Sequence, residues 1–247
     1  MNWRLEVYPE LGSTSDMCAA RAAAGEPAGL AVLGLRQTSA RGSRGRGWQS
    51  PAGNLSLSFL LRPEGSAVDA GCWPLLAGVA VVDAARPLLP NPGALTLKWP
   101  NDVMLRGHKL AGILIDTALD ATGMLGSVIV GIGANLAVAP QVEGREVACL
   151  ADEGIVPPGP EMFARSVLDR IGHWQAVLER HGFADLRAAW LARAHPPGTR
   201  LTVVQGGDRL EGAFRGLSPE GHLLLDTPEG LCTLSTGEVL LAGAADP

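Results

Sequence analysis

The sequence predicts an α+β protein, with a mixed-sheet α/β core followed by a small β-barrel. Three observations carry this expectation. From the N-terminus to Asn135, short alternating apolar stretches interleave with alanine-rich helical runs, as in a sheet joined by crossovers and hairpins. From Glu161 the apolar period becomes 3.6, placing Phe163, Val167, Ile171, Trp174 and Leu178 on one helical face. Beyond His195-Pro196-Pro197-Gly198, short apolar segments are split by turn residues, the pattern of a small all-β unit.

In chain order, Trp3 to Tyr8 (WRLEVY) alternates like a half-buried strand. Ser13, Thr14 and Ser15 then offer N-caps for an alanine-rich helix that ends at Gly25. Leu30 to Gln37 reads as a strand running into the segment TSARGSRGRGWQSP, and Asn54 to Leu61 (NLSLSFLL) as the strand that leaves it. Cys72 to Leu89 is predicted to be a buried helix stopped by Pro87 and Pro90. Leu95 to Trp99 is a strand closed by Pro100. The following VMLRGHKLAGILID predicts a hairpin that turns near Arg106-Gly107 and returns over Leu110 to Asp116, and Ser127 to Ala134 adds another strand. Because hairpins alternate with helical crossovers, the sheet must be mixed. A helix from Glu161 is followed by a second, Phe183 to Arg193. The small unit turns at Gly206-Gly207-Asp208 and at two P-E-G turns, Pro219 to Gly221 and Pro228 to Gly230. The expected domains are residues 1–195 and 196–247.

A chain of 247 residues that is 47% hydrophobic can bury one substantial core and a small second one. Its apolar runs fall short of the roughly 18 residues that cross a bilayer. The opening MNWRLEVYPELG carries charge and proline where a signal peptide is apolar, so a cytoplasmic protein is expected. Cys18, Cys72, Cys149 and Cys232 form no C-x-x-C pair and are expected to be reduced thiols. A net charge of −5 argues against non-specific binding of DNA or RNA, which requires many phosphates to be neutralised at once. Only two of the 20 basic side chains are lysine, Lys98 and Lys109, and they share one short segment. A compact ammonium kept in an arginine-biased chain marks a position where guanidinium does the work poorly.

P-loop, zincin and hydrolase-elbow signatures are absent, and Gly131 and Gly133 make only half of a dinucleotide fingerprint. The strongest local feature is Arg41 to Trp48. Its glycines let backbone N–H groups converge on an anion, its arginines offer forked donors, and its tryptophan offers a flat face. A solvated surface loop has the same composition. The second feature, Trp99-Pro100-Asn101-Asp102, puts an amide and a carboxylate at a strand's end, where Asp102 could hold a metal ion or orient a lysine. Asn101-Asp102 is equally an ordinary turn, Lys109 an ordinary edge charge, and Ser13 and Thr14 ordinary caps.

In series, S-T, Q-T-x-x-R-G-x-x-G-R-x-W, K-W-P-N-D, K-L-A-G-I-L and G-I-G-x-N resemble the catalytic core of biotin protein ligases over about Ser13 to Asn135. The resemblance implies a class II synthetase-like core with a C-terminal SH3-like domain. It also implies two half-reactions, in which biotin and ATP with Mg²⁺ give biotinyl-5′-AMP and the biotinyl group then passes to a lysine of a biotin carboxyl carrier protein. Ser13, Thr14, Gln37, Arg41 and Gly42 would line the biotin site. Arg44, Gly45 and Arg46 would cover the phosphates, and Trp48 would shield the adenylate. Lys109 would bridge the biotin carboxylate and the α-phosphate, with Asn101 and Asp102 beside it; Asp102 would assist Lys109 or the Mg²⁺. Asn135 would read adenine, and Lys98 would support the site from behind.

Members of the family that repress transcription carry an N-terminal winged helix-turn-helix, which a first strand at Trp3 leaves no room for, so ligase activity without DNA binding is expected. A homodimer is allowed, although no stretch specifies its edge. The competing readings are a lipoate or octanoate transferase of the same fold, a non-catalytic biotin sensor and an arginine-glycine RNA binder. The last is disfavoured by the charge and by the scarcity of interleaved aromatics. The family's loop usually reads G-R-G-R-x-G-R, whereas this chain has Ala40 for its first glycine and Ser43 for its second arginine. The expected consequence is looser retention of the adenylate. Ser43→Arg should therefore slow dissociation of the intermediate in a chase experiment, and an unchanged rate would refute the role given to this position.

Overall fold

A computed structural model describes residues 2–63, 71–120, 122–144 and 146–241. Its larger sheet contains β1 (Arg4–Tyr8), β2 (Leu30–Gly34), β3 (Leu55–Leu61), β4 (Leu95–Lys98), β5 (Asp102–Leu105), β6 (His108–Leu119) and β7 (Leu125–Ala134), in the spatial order 1-2-3-7-6-5-4. Strands β1 and β2 run parallel because helix α1 (Thr14–Ala23) crosses between them; the other pairings are antiparallel. The sheet is mixed, as the alternation of hairpins and crossovers requires.

Strand periodicity sorts the side chains onto two faces. Ala31 and Leu33 of β2, Leu55, Leu57, Phe59 and Leu61 of β3, and Val128, Val130 and Ile132 of β7 point into the main core. There they meet α2 (Cys72–Ala85), α3 (Pro160–His181) and α4 (Phe183–Leu191). Leu30, Val32, Leu60 and Ile129 point the other way, against Cys18 and the rest of α1. Since α1 is only 10 residues long, it covers part of that second face. The strip left over carries Ser58, Gly131 and Gly133, small residues that leave room above the sheet.

Element ends differ from the sequence reading where proline or a turn intervenes. Helix α2 stops at Ala85 and tightens into a 3₁₀ turn over Arg86–Leu88, because Pro87 has no N–H to continue the α ladder. Strand β2 ends at Gly34, three residues early. The return strand of the hairpin is longer than expected at both ends, His108 to Leu119. Its turn is Arg106-Gly107 as predicted, with φ of 51° and 86°, the pair of left-handed residues that a two-residue hairpin loop demands.

The C-terminal unit is a five-stranded antiparallel sheet of β8 (Arg200–Gln205), β9 (Asp208–Leu217), β10 (Leu223–Thr227), β11 (Gly230–Leu234) and β12 (Glu238–Leu241), ordered 11-10-9-8-12. The expected P-E-G turns join β9 to β10 and β10 to β11. Trp99 Nε1 donates to Gly221 O at 3.1 Å and Lys98 Nζ to Val239 O at 3.0 Å, tying this sheet to the end of β4. No helix among the described residues is long and apolar enough to cross a membrane.

Gly212, in the middle of β9, marks a close approach of two backbones. A Cβ there would lie 2.6 Å from Asp226 O of β10. Gly212→Val should lower stability by about 1–3 kcal/mol, as overpacking does. Denaturant unfolding followed by circular dichroism would detect this, and a variant as stable as the parent would contradict the assigned contact.

Candidate active site

The uncovered strip of the sheet is the floor of a narrow slot with about 50 Å³ of free volume. Ser13 caps α1 by accepting from Asp16 N at 3.2 Å, and this places Thr14 and Ser15 over β3. Thr14 donates to Gln37 Oε1 from its backbone N at 2.7 Å and from Oγ1 at 3.1 Å. The Thr14 and Ser15 hydroxyls stand 2.7 and 3.0 Å from Ser58 Oγ. The result is a buried, uncharged cluster of hydroxyls and one amide, able to both donate and accept. Gly131 and Gly133 make the floor. A Cβ on Gly131 would lie 2.6 Å from Ser15 Oγ, and one on Gly133 would collide with the Trp48 indole, which rests on the sheet at that point. Across the slot, Lys109 Nζ is 5.7 Å from the Trp48 ring centroid, a cation–π distance.

Beyond the slot lies a second cavity of about 630 Å³, between the Arg44–Arg46 turn, the start of the β5–β6 hairpin, the residues Val142, Gly144 and Glu146, and β12. Ser43, Asn101 and Lys109 line both spaces and so form the passage between them. Asn101 is fixed there by donation from Nδ2 to Ile113 O at 2.7 Å. Lys109 Nζ lies 2.5 Å from Asp102 Oδ1, while Lys98 Nζ lies 3.0 Å from Asp102 Oδ2. The two lysines of the chain thus share one carboxylate. Burial alone would raise the Asp102 carboxyl, but the two ammonium groups outweigh it and hold the group below the ordinary carboxylate range.

The arginine-glycine segment is a closed turn. Gly42 N donates to Arg46 O at 2.7 Å and Trp48 N to Ala40 O at 3.1 Å, with Arg44 in the left-handed region at φ 59°. Its side chains diverge. Arg41 joins the slot wall and pairs with Asp16 at 2.8 Å and Asp116 at 2.6 Å. Arg44 and Arg46 face the outer cavity, where both pair with Glu238 of β12, at 2.8 and 2.9 Å.

Ser13, Thr14, Gln37, Arg41 and Gly42 therefore meet around the slot, Arg44 and Arg46 border the outer cavity, and Lys109 and Asn101 stand between. Gly45 lines neither space; with φ of 72° it supplies the turn instead. Trp48 lines the slot beside Lys109, because the glycine floor gives its ring a seat above β7. One expectation needs correction. Asn135 is buried and lines neither space. Its Nδ2 donates to Ala148 O at 3.1 Å and its Oδ1 faces Asn54, so the amide braces the chain after β7 instead of facing a base. Both oxygens of Asp102 face lysines, which suits orientation of Lys109; among the described residues no group of three or more His, Cys, Asp or Glu is gathered. Ser15, Ser58, Gly131, Gly133, Val142, Gly144, Glu146 and Glu238 were not anticipated as site residues. The alternation in LSLS, with its serines on one side, was the available signal for Ser58.

The profile of the Biotin/lipoate A/B protein ligase family matches residues 13–135, and that of the Biotin protein ligase C terminal domain matches residues 198–241. A biotin–[acetyl-CoA-carboxylase] ligase of Paracoccus denitrificans is 37% identical over 223 residues, covering 86% of this chain and 90% of that protein. The protein of the same name from Mycobacterium tuberculosis is 36% identical over 244 residues, covering 96% and 89%. The biotin protein ligase from Aquifex aeolicus in complex with biotin and ATP superposes with a TM-score of 0.81 at 27% identity, covering 96% of this chain and 98% of that one.

Because the folded pKa of Asp102 lies below its unfolded value, the stabilisation from its lysine pairs is complete above about 3.9, the ordinary Asp value, and is lost as pH falls through the depressed folded value. Asp102→Asn leaves two ammonium groups without their carboxylate and should cost about 3–5 kcal/mol at neutral pH. Unfolding midpoints measured against pH should show the gap between parent and variant closing below pH 4. A gap independent of pH would mean that the pairs do not carry this stability.

Proposed function

Because the chain belongs to the biotin/lipoate A/B protein ligase family, we propose that the slot and the outer cavity are the two halves of one adenylating site, joined at Lys109. The protein is a biotin protein ligase, which activates biotin with ATP and transfers the product to a lysine. The observation that carries the division of labour is the ammonium of Lys109, set between a hydroxyl-lined slot whose one arginine, Arg41, is matched by Asp16 and Asp116, and an outer cavity bordered by Arg44 and Arg46.

The slot suits the uncharged bicyclic end of biotin. Thr14, Ser15, Ser58 and Gln37 match the donors and acceptors of a cyclic urea, and Trp48 walls the apolar chain against the glycine floor. The biotin carboxylate then emerges at the passage. ATP occupies the outer cavity, with its phosphates toward Arg44 and Arg46. The carboxylate oxygen attacks the α-phosphorus, a new P–O bond forms, and pyrophosphate leaves. Two anions must approach each other for this, so a cation held at the passage lowers the barrier most where charge accumulates. Asp102 keeps Lys109 in place, and Lys98 fixes Asp102 from behind. In the second step the amine of an acceptor lysine attacks the acyl carbon, AMP departs with the bonding electrons, and the amine loses its proton.

The acceptor is the biotin carboxyl carrier protein of acetyl-CoA carboxylase, as the names of the relatives suggest. Mg²⁺ would enter with the triphosphate, because such ions are held by substrate phosphates and one or two carboxylates, and Asp102, which lines the outer cavity, is the carboxylate proposed to assist it. Residues 1–195 form the catalytic domain and 196–247 the small domain, whose last six residues lie outside those described. The cytoplasm, where ATP and the carrier are found, is the proposed location.

Biotin-dependent exchange of labelled pyrophosphate into ATP tests the first half-reaction without assuming the carrier. Exchange is expected with biotin and not with lipoate or octanoate; exchange with lipoate would transfer the chain to the sister activity. Lys109→Gln should lower the exchange rate about 10²–10³-fold while biotin binding, followed by calorimetry, stays nearly intact. A variant that still exchanges at the parental rate would remove Lys109 from this role.

A further inference from the structure

The outer cavity already contains an anion of the protein's own. Arg44 Nη1 donates to Glu238 Oε2 at 2.8 Å, and Arg46 Nη1 reaches both Glu238 oxygens, at 2.9 and 3.1 Å. The carboxylate comes from β12 of the C-terminal sheet and is mostly buried, with one fifth of the side chain exposed. The next residue, Val239, accepts from Lys98 through its backbone oxygen. One short strand of the small sheet therefore touches both cation pairs of the site. Two guanidinium groups on one carboxylate leave a surplus positive charge and a geometry already set for oxygen acceptors.

We propose that Glu238 is a positioning residue that stands in for phosphate: it holds the Arg44–Arg46 turn in place in the ligand-free protein and is exchanged for the phosphates of ATP on binding. This rests on the reading of the outer cavity as the nucleotide site. A triphosphate entering among these arginines meets Glu238 as a competitor, since two anions cannot share the same donors without repulsion. The benefit is an ordered turn before ATP arrives. The cost is weaker apparent affinity for ATP, because the carboxylate has to be released first. Thus the C-terminal sheet sets the affinity of a site formed mainly by the N-terminal one.

Glu238→Gln keeps the shape and removes the charge. In the pyrophosphate-exchange assay its KM for ATP should fall roughly three- to tenfold, the range expected for losing two ion pairs whose arginines are partly exposed and which compete with ligand, with KM for biotin unchanged. In the free protein, trypsin should cut faster after Arg44 and Arg46 in the variant than in the parent, and biotin with ATP should protect both alike. Glu238→Asp, which withdraws the charge by one methylene, should shift both readouts in the same direction by less. Glu229→Gln, an exposed site on the β10–β11 turn, controls for net charge. An unchanged or higher KM for ATP, or unchanged cleavage of the free protein, would overturn the proposal while parental exchange activity still upheld the ligase reading. Absence of exchange in the parent would instead remove the reading on which it rests.

Discussion

A single carboxylate, Asp102, holds the site together. It stands at the first residue of β5, with Lys109 near the start of β6 on one oxygen and Lys98 at the end of β4 on the other. Burying three charges costs several kcal/mol per ion unless each finds partners, and here the geometry supplies them. The hairpin explains why this works. Lys98 and Asp102 are register partners across the β4–β5 pair, and the Arg106-Gly107 turn brings Lys109 back beside them. Sheet register thus determines which residues meet, and the charge cluster follows from local chain reversal. Lys98 also reaches Val239 O, so the same carboxylate links Lys109 to the C-terminal sheet.

The ligand space follows from what is missing above the sheet. Helix α1 is too short to cover its face, and the strands beneath the gap carry serine and glycine where the covered part carries leucine and isoleucine. The alternation of a strand makes this possible without disturbing the core. In β7, Val130 and Ile132 fill the core on one side, while Gly131 and Gly133 leave the other side open. A strand glycine weakens packing in exchange for close approach, and here the approaching group is the Trp48 ring. The slot is therefore a consequence of residue size at alternate positions.

Much of this was legible in the sequence, and the limits have physical causes. The strands, the caps of α1, the Arg106-Gly107 turn and the P-E-G turns all depend on local rules, and they stand where those rules put them. The importance of Lys98 and Lys109 came from composition alone. Non-local contacts were not legible: that Glu238 would face Arg44 and Arg46, nearly two hundred positions away, depends on how two sheets dock. The seat of the Trp48 ring and the role of Asn135 were hidden for the same reason. The direction of a ring or an amide is decided by neighbours distant in sequence, here the β7 glycines for one and Ala148 and Asn54 for the other. The two glycines looked like a weak nucleotide fingerprint because their spacing was visible and their face was not.

The loop can now be considered as a distribution of charge. Ser43 lies in the passage beside Lys109 and Asn101, so an arginine there would put a second permanent cation next to the Lys109 ammonium. With serine, the passage stays narrow and nearly neutral apart from Lys109, and the arginines stand on either side of it: Arg41 on the slot side, matched by Asp16 and Asp116, and Arg44 and Arg46 on the outer side, matched by Glu238. Each cation of the turn has an acidic partner within the protein, which keeps the turn folded without ligand. On the proposed reading, phosphate binding is an exchange between partners, and its strength depends on the strand that carries Glu238 as much as on the arginines themselves. A change in the small sheet that shifts β12 would consequently alter nucleotide affinity with no change in the biotin slot, because Glu238 and Val239 border only the outer cavity.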